Sequence, residues 1–366
     1  MPMKLAHTTE IQKEILKLNK KMAANESNAE AFNNYLANRS EKLSKKSLIY
    51  FRSGLSSTES FLKAASPFLL DESGNGLPKK VINSIKPLSE DVFEKNPYYQ
   101  TIRFPNVKKG KWELRNSSYL SFEGFVSDEL RIFPSKSYEE ITPFGYFEKE
   151  VFYPEVLEND HNWMSVTPHE INTMEEAIEN AKGKVLTFGL GMGYFAFMVS
   201  EKDEVTSLTI VEKENDAIAL FKEFILPKFP HKEKIKIIKK DAFAFAKRQK
   251  DGEYDYCFAD IWHLPIDGLY LYLQFKGIFK DFSKTKFDYW IEKSMLSLLR
   301  RAMIILISEE YEGSTDDDYD FAATPSDELI NALHFKLKNK SIKSGEDLLT
   351  LLSDESLKEI AATIYD

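Results

Sequence analysis

The segment that decides the fold is Val185-Leu-Thr-Phe-Gly189-Leu-Gly191-Met-Gly193-Tyr194. Its apolar first half predicts a buried strand, and three glycines at alternate positions follow that strand directly. Glycines at this place let the chain turn tightly and let a ligand approach the backbone, while the next helix offers unpaired N–H groups. The segment therefore predicts a strand, a ligand-binding loop and a helix in succession.

Acidic residues stand at the ends of the next three predicted strands. Glu212 closes the strand SLTIV, nineteen residues after Gly193, where a carboxylate can accept hydrogen bonds from both hydroxyls of a ribose. Asp241 follows the strand KIKII, in a position to accept a hydrogen bond from an adenine amino group, and Asp260 ends the strand YDYCFAD. Because ligands bind at the carboxyl ends of strands in open α/β sheets, we expect these carboxylates to meet in one cleft.

Strands alternate with helices from Thr167 onward, which predicts βαβ units with right-handed crossovers. The apolar run AMIILI, residues 302–307, is expected to form the fifth strand after a helix around YWIEKSMLSLLRR. We therefore predict an α/β protein with a Rossmann-like, doubly wound and mostly parallel sheet. Four parts are expected along the chain: a helical N-terminal region (1–110), a small β-meander on the substrate side (111–166), the sheet domain (167–310) and a helical C-terminal extension (311–366).

Several helix starts carry capping residues. Thr8 or Thr9 can cap the first helical pattern. Three later sites place Glu three residues after Ser or Thr, the pattern of a capping box: Ser27 with Glu30, Ser56 with Glu59, and Thr167 with Glu170. Pro168 at the first helical position strengthens the last of these. His169 and Glu170 lie close enough to the first strand to face a ligand, but the capping pattern already accounts for Glu170.

The composition excludes several classes of protein. Of 366 residues, 43% are hydrophobic, which is enough for a packed core and excludes wholesale disorder. The single cysteine, Cys257, excludes a disulfide framework and a Cys-rich zinc site, and no His, Asp or Glu cluster has the spacing of metal ligands. No apolar run reaches the roughly 18 residues of a membrane span, and the polar start is unlike a signal peptide. We expect a soluble, cytoplasmic protein without a metal.

The charge distribution bears on nucleic-acid binding. Lys and Arg number 49 against 58 Asp and Glu, a net charge of −9, which argues against a protein that coats a phosphate backbone. The stretch Lys228–Lys250 holds nine basic and two acidic residues, so a local contact with RNA stays open. The alternation of Lys and Ile at 234–238 favours instead the exposed face of an edge strand. The acidic run Glu309–Asp320 is predicted to be a solvated linker.

Taken in order, the motifs resemble those of the class I S-adenosylmethionine-dependent methyltransferases over about residues 167–310, closest to the spermidine-synthase-like branch. FGLGMG matches the first motif, Glu212 the acidic end of strand two, Asp241-Ala242 the adenine-side motif and Asp260 the fourth motif. The resemblance implies S-adenosylmethionine as the cofactor. It places the methionine portion against Gly189, Gly191 and Gly193, the ribose on Glu212, the adenine amino group on Asp241, and the adenine ring beside Ala242 and Phe243.

Two departures from the family pattern stand out. The family's sheet usually ends in an antiparallel hairpin after strand five, whereas the tail after Ser308 looks helical; either the sheet is shortened or the meander completes its edge. The aminopropyltransferase branch carries a D-S/T-S-x-D segment after strand four, and this chain has Asp260-Ile-Trp-His-Leu-Pro-Ile-Asp267 there instead. That difference argues against polyamine synthesis.

The chemistry of methyl transfer needs a nucleophile in line with the sulfonium methyl and at most one base. By the resemblance, Asp260 and His263 lie beside the methyl group, so they are the candidate catalytic residues for orienting or deprotonating an amine or hydroxyl. Trp262 can wall the site, although packing is the commoner role for such a residue. The aromatic density of the meander would suit a pocket wall but favours simple core.

Four functions follow as hypotheses. The first is a methyltransferase acting on a small molecule. The second is an aminopropyltransferase using the decarboxylated cofactor. The third is an NAD-dependent oxidoreductase, since Gly191-x-Gly193-x-x-Ala196 fits the G-x-G-x-x-A pattern of dinucleotide-binding proteins. In that register, however, the motif begins one turn late, and Asp241 and Asp260 have no role. The fourth is a non-catalytic nucleotide-binding or scaffold protein, in which the helical N-terminal region could support an oligomer.

Overall fold

The structure is a computed structural model that describes residues 3–313, 325–338 and 340–365. Its N-terminal part is mainly helical. The elements are β1 (Lys4–Leu5), α1 (Thr9–Asn38), α2 (Glu41–Arg52), α3 (Ser57–Ala65), α4 (Lys79–Ile82), β2 (Lys86–Pro87), α5 (Asp91–Glu94) and α6 (Pro97–Thr101).

The capping predictions for this region are confirmed at two helix starts and wrong at a third. Thr8 Oγ1 accepts a hydrogen bond from the Ile11 N–H at 3.2 Å, and Ser56 forms a reciprocal capping box with Glu59 at the start of α3. Ser27, however, lies inside the 30-residue helix α1, where its hydroxyl donates to Asp71 Oδ2 at 2.7 Å. The buried face of α1 continues through this position without a Gly or Pro to end the helix, so the local capping pattern is overridden.

Antiparallel strands follow α6. They are β3 (Val107–Lys109), β4 (Trp112–Tyr119), β5 (Gly124–Val126), β6 (Arg131–Phe133), β7 (Glu139–Ile141), β8 (Phe144–Tyr146), β9 (Val151–Glu158) and β10 (His161–Ser165). A four-stranded sheet has the order β10-β9-β4-β3, while β2-β8-β5 and β6-β7 form two smaller sheets. The strands β4 and β9 pair along their whole length, from Trp112 opposite Glu158 to Tyr119 opposite Val151.

The central part alternates helices and strands. Its elements are α7 (Pro168–Asn180), β11 (Gly183–Phe188), α8 (Tyr194–Ser200), β12 (Val205–Glu212), α9 (Asn215–Leu220), β13 (Ile235–Lys239), α10 (Ala242–Ala246), β14 (Tyr256–Ala259), α11 (Pro265–Phe279), β15 (Lys286–Tyr289) and α12 (Glu292–Glu312). All five strands are parallel, in the order β13-β12-β11-β14-β15. The protein is therefore mixed α/β with a parallel central sheet, and its first four strands lie where the sequence predicts them.

The prediction of the fifth strand is wrong. Residues 302–307 continue α12, and the fifth strand is β15, which precedes that helix. Within the run, Met303, Ile304, Leu306 and Ile307 are buried while Ile305 is 42% exposed. This pattern is helical, and α12 as a whole packs among α1, α11, α13 and α15. A fully apolar run fits a buried helix as well as a buried strand, so its composition could not decide between them.

The C-terminal elements are α13 (Pro325–Leu337), β16 (Ser341–Ile342), α14 (Gly345–Leu351) and α15 (Asp354–Thr363). They are mostly helical, as expected, but β16 pairs in parallel with β1, Lys4 opposite Ser341. Of the predicted acidic linker, residues 309–312 end α12, and residues 314–320 lie outside the described residues. In the described part of the chain the central sheet ends at β15, and the meander forms a separate sheet. Of the two predicted alternatives, a shortened sheet is therefore the one observed, and the meander does not complete the edge of the central sheet.

Two apolar clusters form the core. The larger surrounds the central sheet and includes buried residues of α1, α11, α12 and α15, and it contains Cys257, as expected for an apolar strand residue. The smaller packs α1 and α3 onto β8 through aromatic rings, with Phe61 stacked on Tyr146 at 4.6 Å between ring centroids. Packing therefore joins the ends of the chain to the sheet, while the predicted domain boundaries remain a prediction.

Candidate functional site

A cleft of about 530 Å³ opens at the carboxyl ends of β11, β12, β13 and β14. This volume lies within the range of small-molecule sites. The strand ends contribute Gly189, Gly191, Glu212, Asp241, Ala242, Phe243, Asp260 and His263, and the meander contributes Lys111, Trp112, Trp163 and Met164. The structure thus brings all the predicted site residues together except Gly193, which begins α8 outside this lining.

The glycine loop is packed closely by other parts of the protein. Gly189 has a φ of +96°, and a Cβ atom built on it would lie 1.9 Å from the backbone oxygen of Asp260. A Cβ atom on Gly191 would lie 2.7 Å from Met164 Sδ. Glycine is therefore required at both positions by the protein's own packing, and the expected approach of a ligand to this loop remains a prediction.

The Glu212 carboxylate ties the loops after β11 and β12 together. Its Oε2 accepts a hydrogen bond from the Leu190 N–H at 3.2 Å, and its Oε1 accepts from the N–H groups of Lys213 at 2.7 Å and Glu214 at 2.8 Å. An ionised carboxylate has about four acceptor positions, so one remains on Oε2. Glu212 thus keeps one acceptor position beyond these three N–H groups, and its predicted binding of a ribose remains a prediction.

The start of α10 forms one side of the cleft. Asp241 is the N-cap of this helix, and its Oδ1 accepts a hydrogen bond from the Ala244 N–H at 2.8 Å. Ala242 is buried, and the half-buried ring of Phe243 meets Phe275 edge to face with 4.5 Å between ring centroids. An exposed carboxylate thus lies next to a fixed apolar surface, which is a suitable arrangement for a flat, amino-bearing ring.

The cleft narrows to a space of about 20 Å³ between Glu170 and Asp260. Burial, with the negative charge of Glu212 as a smaller cause, raises the pKa of Asp260 to about 7. Burial and then the charge of Asp260 raise the pKa of Glu170 well above its ordinary value. The lining of this narrow end contains no Lys, Arg or His, so the space is acidic and favours a proton or an organic cation.

The interpretation of Glu170 as a capping residue is wrong. Thr167 is the N-cap of α7, but its side chain makes no capping hydrogen bond. Glu170 instead lines the narrow end of the cleft. The sequence held a signal for this, because Met174 and Ala177 follow Glu170 at helical spacing and are both buried. Their positions put Glu170 on the inward face of α7.

The other candidates around the strand ends have structural roles. His169 points to Trp290, edge to face at 6.1 Å between centroids, away from the cleft lining, and burial lowers its pKa. Trp262 is buried, and its Nε1 donates a hydrogen bond to the backbone oxygen of Trp290 at 3.1 Å. This is the packing role that the sequence favours for Trp262. Asp267 accepts hydrogen bonds from the N–H groups of His263 and Leu264 at the start of α11. The exposed His263 stays at the rim of the cleft.

The meander supplies the wall opposite the strand ends. Trp112 and Trp163 meet edge to face with 5.0 Å between ring centroids, and Trp112 Nε1 donates to Asp216 Oδ2 at 3.1 Å. Lys111 forms an ion pair with Glu158 beside them. The aromatic residues of the meander were predicted mainly as core, but Trp112 and Trp163 also line the cleft.

The basic stretch at 228–250 includes β13, an edge strand of the central sheet, as the lysine pattern predicts. Lys234 Nζ donates to the backbone oxygens of Ser200 and Lys202, both at 2.9 Å, and Lys228 Nζ donates to that of Arg103. Two of the lysines therefore bind neighbouring loops.

Two features that bear on function are absent from the described residues. Within the ranges 3–313, 325–338 and 340–365 no group of His, Cys, Asp or Glu side chains is arranged to hold a metal ion. Among the helices of the same ranges, none combines the length and the apolar character that crossing a membrane requires.

Comparison with known proteins gives only partial likenesses. No family model matches the chain, and no curated protein matches its sequence. A solved precorrin 8W decarboxylase of Methanobacterium thermoautotrophicum is 18% identical, with a TM-score of 0.23, over 30% of this chain and 52% of that one. A spermidine synthase of Thermotoga maritima is 13% identical, with a TM-score of 0.30, over 50% of this chain and 69% of that one. This chain spans about half the length of the decarboxylase, and neither likeness assigns an activity or a ligand.

The raised pKa of Asp260 predicts a stability that falls with rising pH. Its pKa is 3.8 when unperturbed and about 7 in the fold, so the contribution is complete below about pH 4 and is lost as the pH rises through 7. Asp260→Asn removes the ionisation, and we expect the variant to melt about 3 °C above the wild type at pH 8. At pH 4.5, where Asp260 is mostly ionised in the unfolded chain but not in the fold, about a quarter of this gap is expected to remain.

Calorimetric melting between pH 4.5 and 8 measures this difference. Asp203→Asn, at an exposed carboxylate, is the matched control and should show no pH-dependent gap. A gap for Asp260→Asn that is the same at both pH values would contradict the buried ionisation.

Proposed function

We propose that the protein is an S-adenosylmethionine-dependent methyltransferase that acts on a small-molecule acceptor. One observation supports this most: a Rossmann-like strand order puts the glycine loop, Glu212, Asp241 and Asp260 at four strand ends around one cleft. That is the position at which open α/β sheets bind nucleotides. The acidic residues at three of these ends suit a ribose, an adenine and a cationic sulfur in turn.

The nucleoside part of the cofactor fits the wide part of the cleft. Glu212 Oε2 would accept a hydrogen bond from a ribose hydroxyl, and Asp241 would accept one from the adenine amino group. Phe243 would pack on the adenine ring. The methionine arm would point to the narrow end, which has a volume of only about 20 Å³. The fit of the arm therefore depends on the residues that close this end.

The residues of the narrow end account for the proposed chemistry. When bound, the cofactor supplies a methyl group on a positively charged sulfur. Asp260, with a pKa of about 7, is suited to accept a proton from an amine or hydroxyl at neutral pH. Glu170, whose raised pKa favours the protonated form, lies beside it, and Trp163 lines the wide part of the cleft on the meander side. His263, at the rim, is placed to contact the acceptor.

Aminopropyl transfer is the second candidate, and the acidic lining favours it. A methionine arm carries an ammonium and a carboxylate, whereas the arm of the decarboxylated cofactor carries the ammonium alone. The narrow end offers two carboxyl groups to an ammonium and no basic side chain to a carboxylate. Against this candidate stands the segment after β14, which lacks the D-S/T-S-x-D pattern.

Calorimetric titration of the full chain with S-adenosylmethionine, S-adenosylhomocysteine, decarboxylated S-adenosylmethionine and NAD tests these functions. We expect the first two to bind with dissociation constants of about 1–100 μM. A clear preference for the decarboxylated compound would replace methyl by aminopropyl transfer. Binding of NAD alone would move the assignment to an oxidoreductase, and binding of none would leave a non-catalytic scaffold.

A further inference from the structure

The side chain of Met164 closes the narrow end of the cleft. A Cβ atom built on Gly191 would lie 2.7 Å from Met164 Sδ and 3.1 Å from its Cε, so the thioether rests directly on the glycine loop. Met164 lines both the wide part of the cleft, of about 530 Å³, and the narrow end, of about 20 Å³. A space of the latter size holds about one or two water molecules, not an amino-acid arm.

The narrow end contains two carboxyl groups that could pair with the ammonium group of a ligand arm. Glu170 and Asp260 lie there with Thr187, next to Gly189 and Gly191. An ammonium group would neutralise these carboxyl groups in a setting where water is scarce, and such pairing is stronger than at the surface. Asp260 also lines the wide part of the cleft, whereas Glu170 and Thr187 line only the narrow end, and Met164 lines both spaces.

Met164 stands where displacement costs little. It belongs to β10, the edge strand of the meander sheet, and the register of β10 on β9 shifts between Asn162 and Met164. The side chain is half-buried, and a methionine has three rotatable bonds with which it adapts to irregular space. Met164 packs against the larger core cluster without being one of its fully buried residues, so a change of its rotamer is the movement that we expect to open the narrow end.

Resting on the proposed function, we propose that Met164 sets the length of the 5′ substituent that the cleft accepts. A nucleoside with a short 5′ group binds with Met164 in its present position. A nucleoside with an amino-acid arm binds only when the Met164 side chain is displaced, and its affinity is reduced by the cost of that displacement.

Titration with 5′-methylthioadenosine and S-adenosylhomocysteine tests this, because both carry a neutral thioether, on which the first has a methyl group and the second a longer, zwitterionic amino-acid arm. In Met164→Ala, S-adenosylhomocysteine is expected to bind about tenfold more tightly than in the wild type, while methylthioadenosine changes by less than about twofold. Met164→Leu nearly conserves the volume and is expected to keep the wild-type values. Met198→Ala, at a half-buried methionine of α8 outside the cleft lining, is the matched control.

A second measurement follows the methionine itself. In protein labelled with ¹³C at the methionine methyl groups, the Met164 signal is assigned by its absence in Met164→Leu. S-adenosylhomocysteine is expected to shift this signal more than methylthioadenosine does. The role of Met164 would be overturned if Met164→Ala increased the affinity for both ligands equally, or if it did not increase the affinity for S-adenosylhomocysteine. If neither nucleoside binds to any of the proteins, the proposed function fails and this inference fails with it.

Discussion

Gly189→Ala is expected to destabilise the protein by about 4 kcal/mol or more and to abolish ligand binding in the cleft. The new methyl group would lie 1.9 Å from the backbone oxygen of Asp260, a distance that no rotamer change can relieve. The ends of β11 and β14 would have to separate, and the hydrogen bond from the Asp260 N–H to the Phe188 oxygen, now 2.9 Å, would be lost.

Gly54→Ala separates this clash from backbone strain. Gly54 has a φ of +98°, almost the same as the +96° of Gly189, but no atom lies within 4 Å of its added Cβ. We expect Gly54→Ala to cost about 1–2 kcal/mol, the price of the left-handed conformation alone. Urea denaturation of the two variants gives the comparison, and equal costs would show that β11 and β14 do not meet as described.

Glu212→Ala is expected to weaken the binding of adenosine and S-adenosylhomocysteine about 10- to 100-fold, the value of one charge-assisted hydrogen bond. It also removes the acceptor for three backbone N–H groups, so a loss of about 1–3 kcal/mol in the free energy of unfolding should accompany it. Titration below the melting temperature of the variant measures the affinity, and denaturation measures the stability.

Two controls make the Glu212 result specific. Glu214→Ala removes an exposed carboxylate from the same cleft lining and should change affinity by less than about threefold. Because one acceptor position is free on Glu212, either 2′-deoxyadenosine or 3′-deoxyadenosine, but not both, should bind the wild type more weakly than adenosine does. In Glu212→Ala all three nucleosides should bind alike. If the wild type bound all three nucleosides with equal affinity, Glu212 would bind only the backbone N–H groups of the loops and not the ribose.

The parts of the fold that sequence reasoning predicted are those with local signals. The strands β11 to β14 each combine an apolar run with a glycine or an acid at its end, and the structure brings those ends together. The strand β15 was missed because KFDY is short and half-polar, whereas the apolar run at 302–307 resembled a strand and belongs to α12. The pairing of β1 with β16 involves two residues on each side and has no local signal.

The sequence predicted the residues at the strand ends of the cleft, but it did not predict the residues that reach the cleft from α7 and from the meander. Glu212, Asp241 and Asp260 follow from strand ends, but Glu170 was hidden by a capping pattern that the helix does not use. Met164 and Trp163 enter the cleft from another sheet, and only the pairing of β10 with β9 fixes where they lie. No spacing along the chain gives the distance between residues of two sheets.

The contact between β1 and β16 sets the order in which the molecule can be completed during synthesis. Glu10 at the start of α1 accepts a hydrogen bond from the N–H of Gly345, 335 residues further along the chain. Asn19 of the same helix contacts Ser308 across 289 residues. While the ribosome is still making the central sheet, these partners of α1 do not yet exist. These contacts of α1 can therefore form only after residues 308 and 345 have been synthesised.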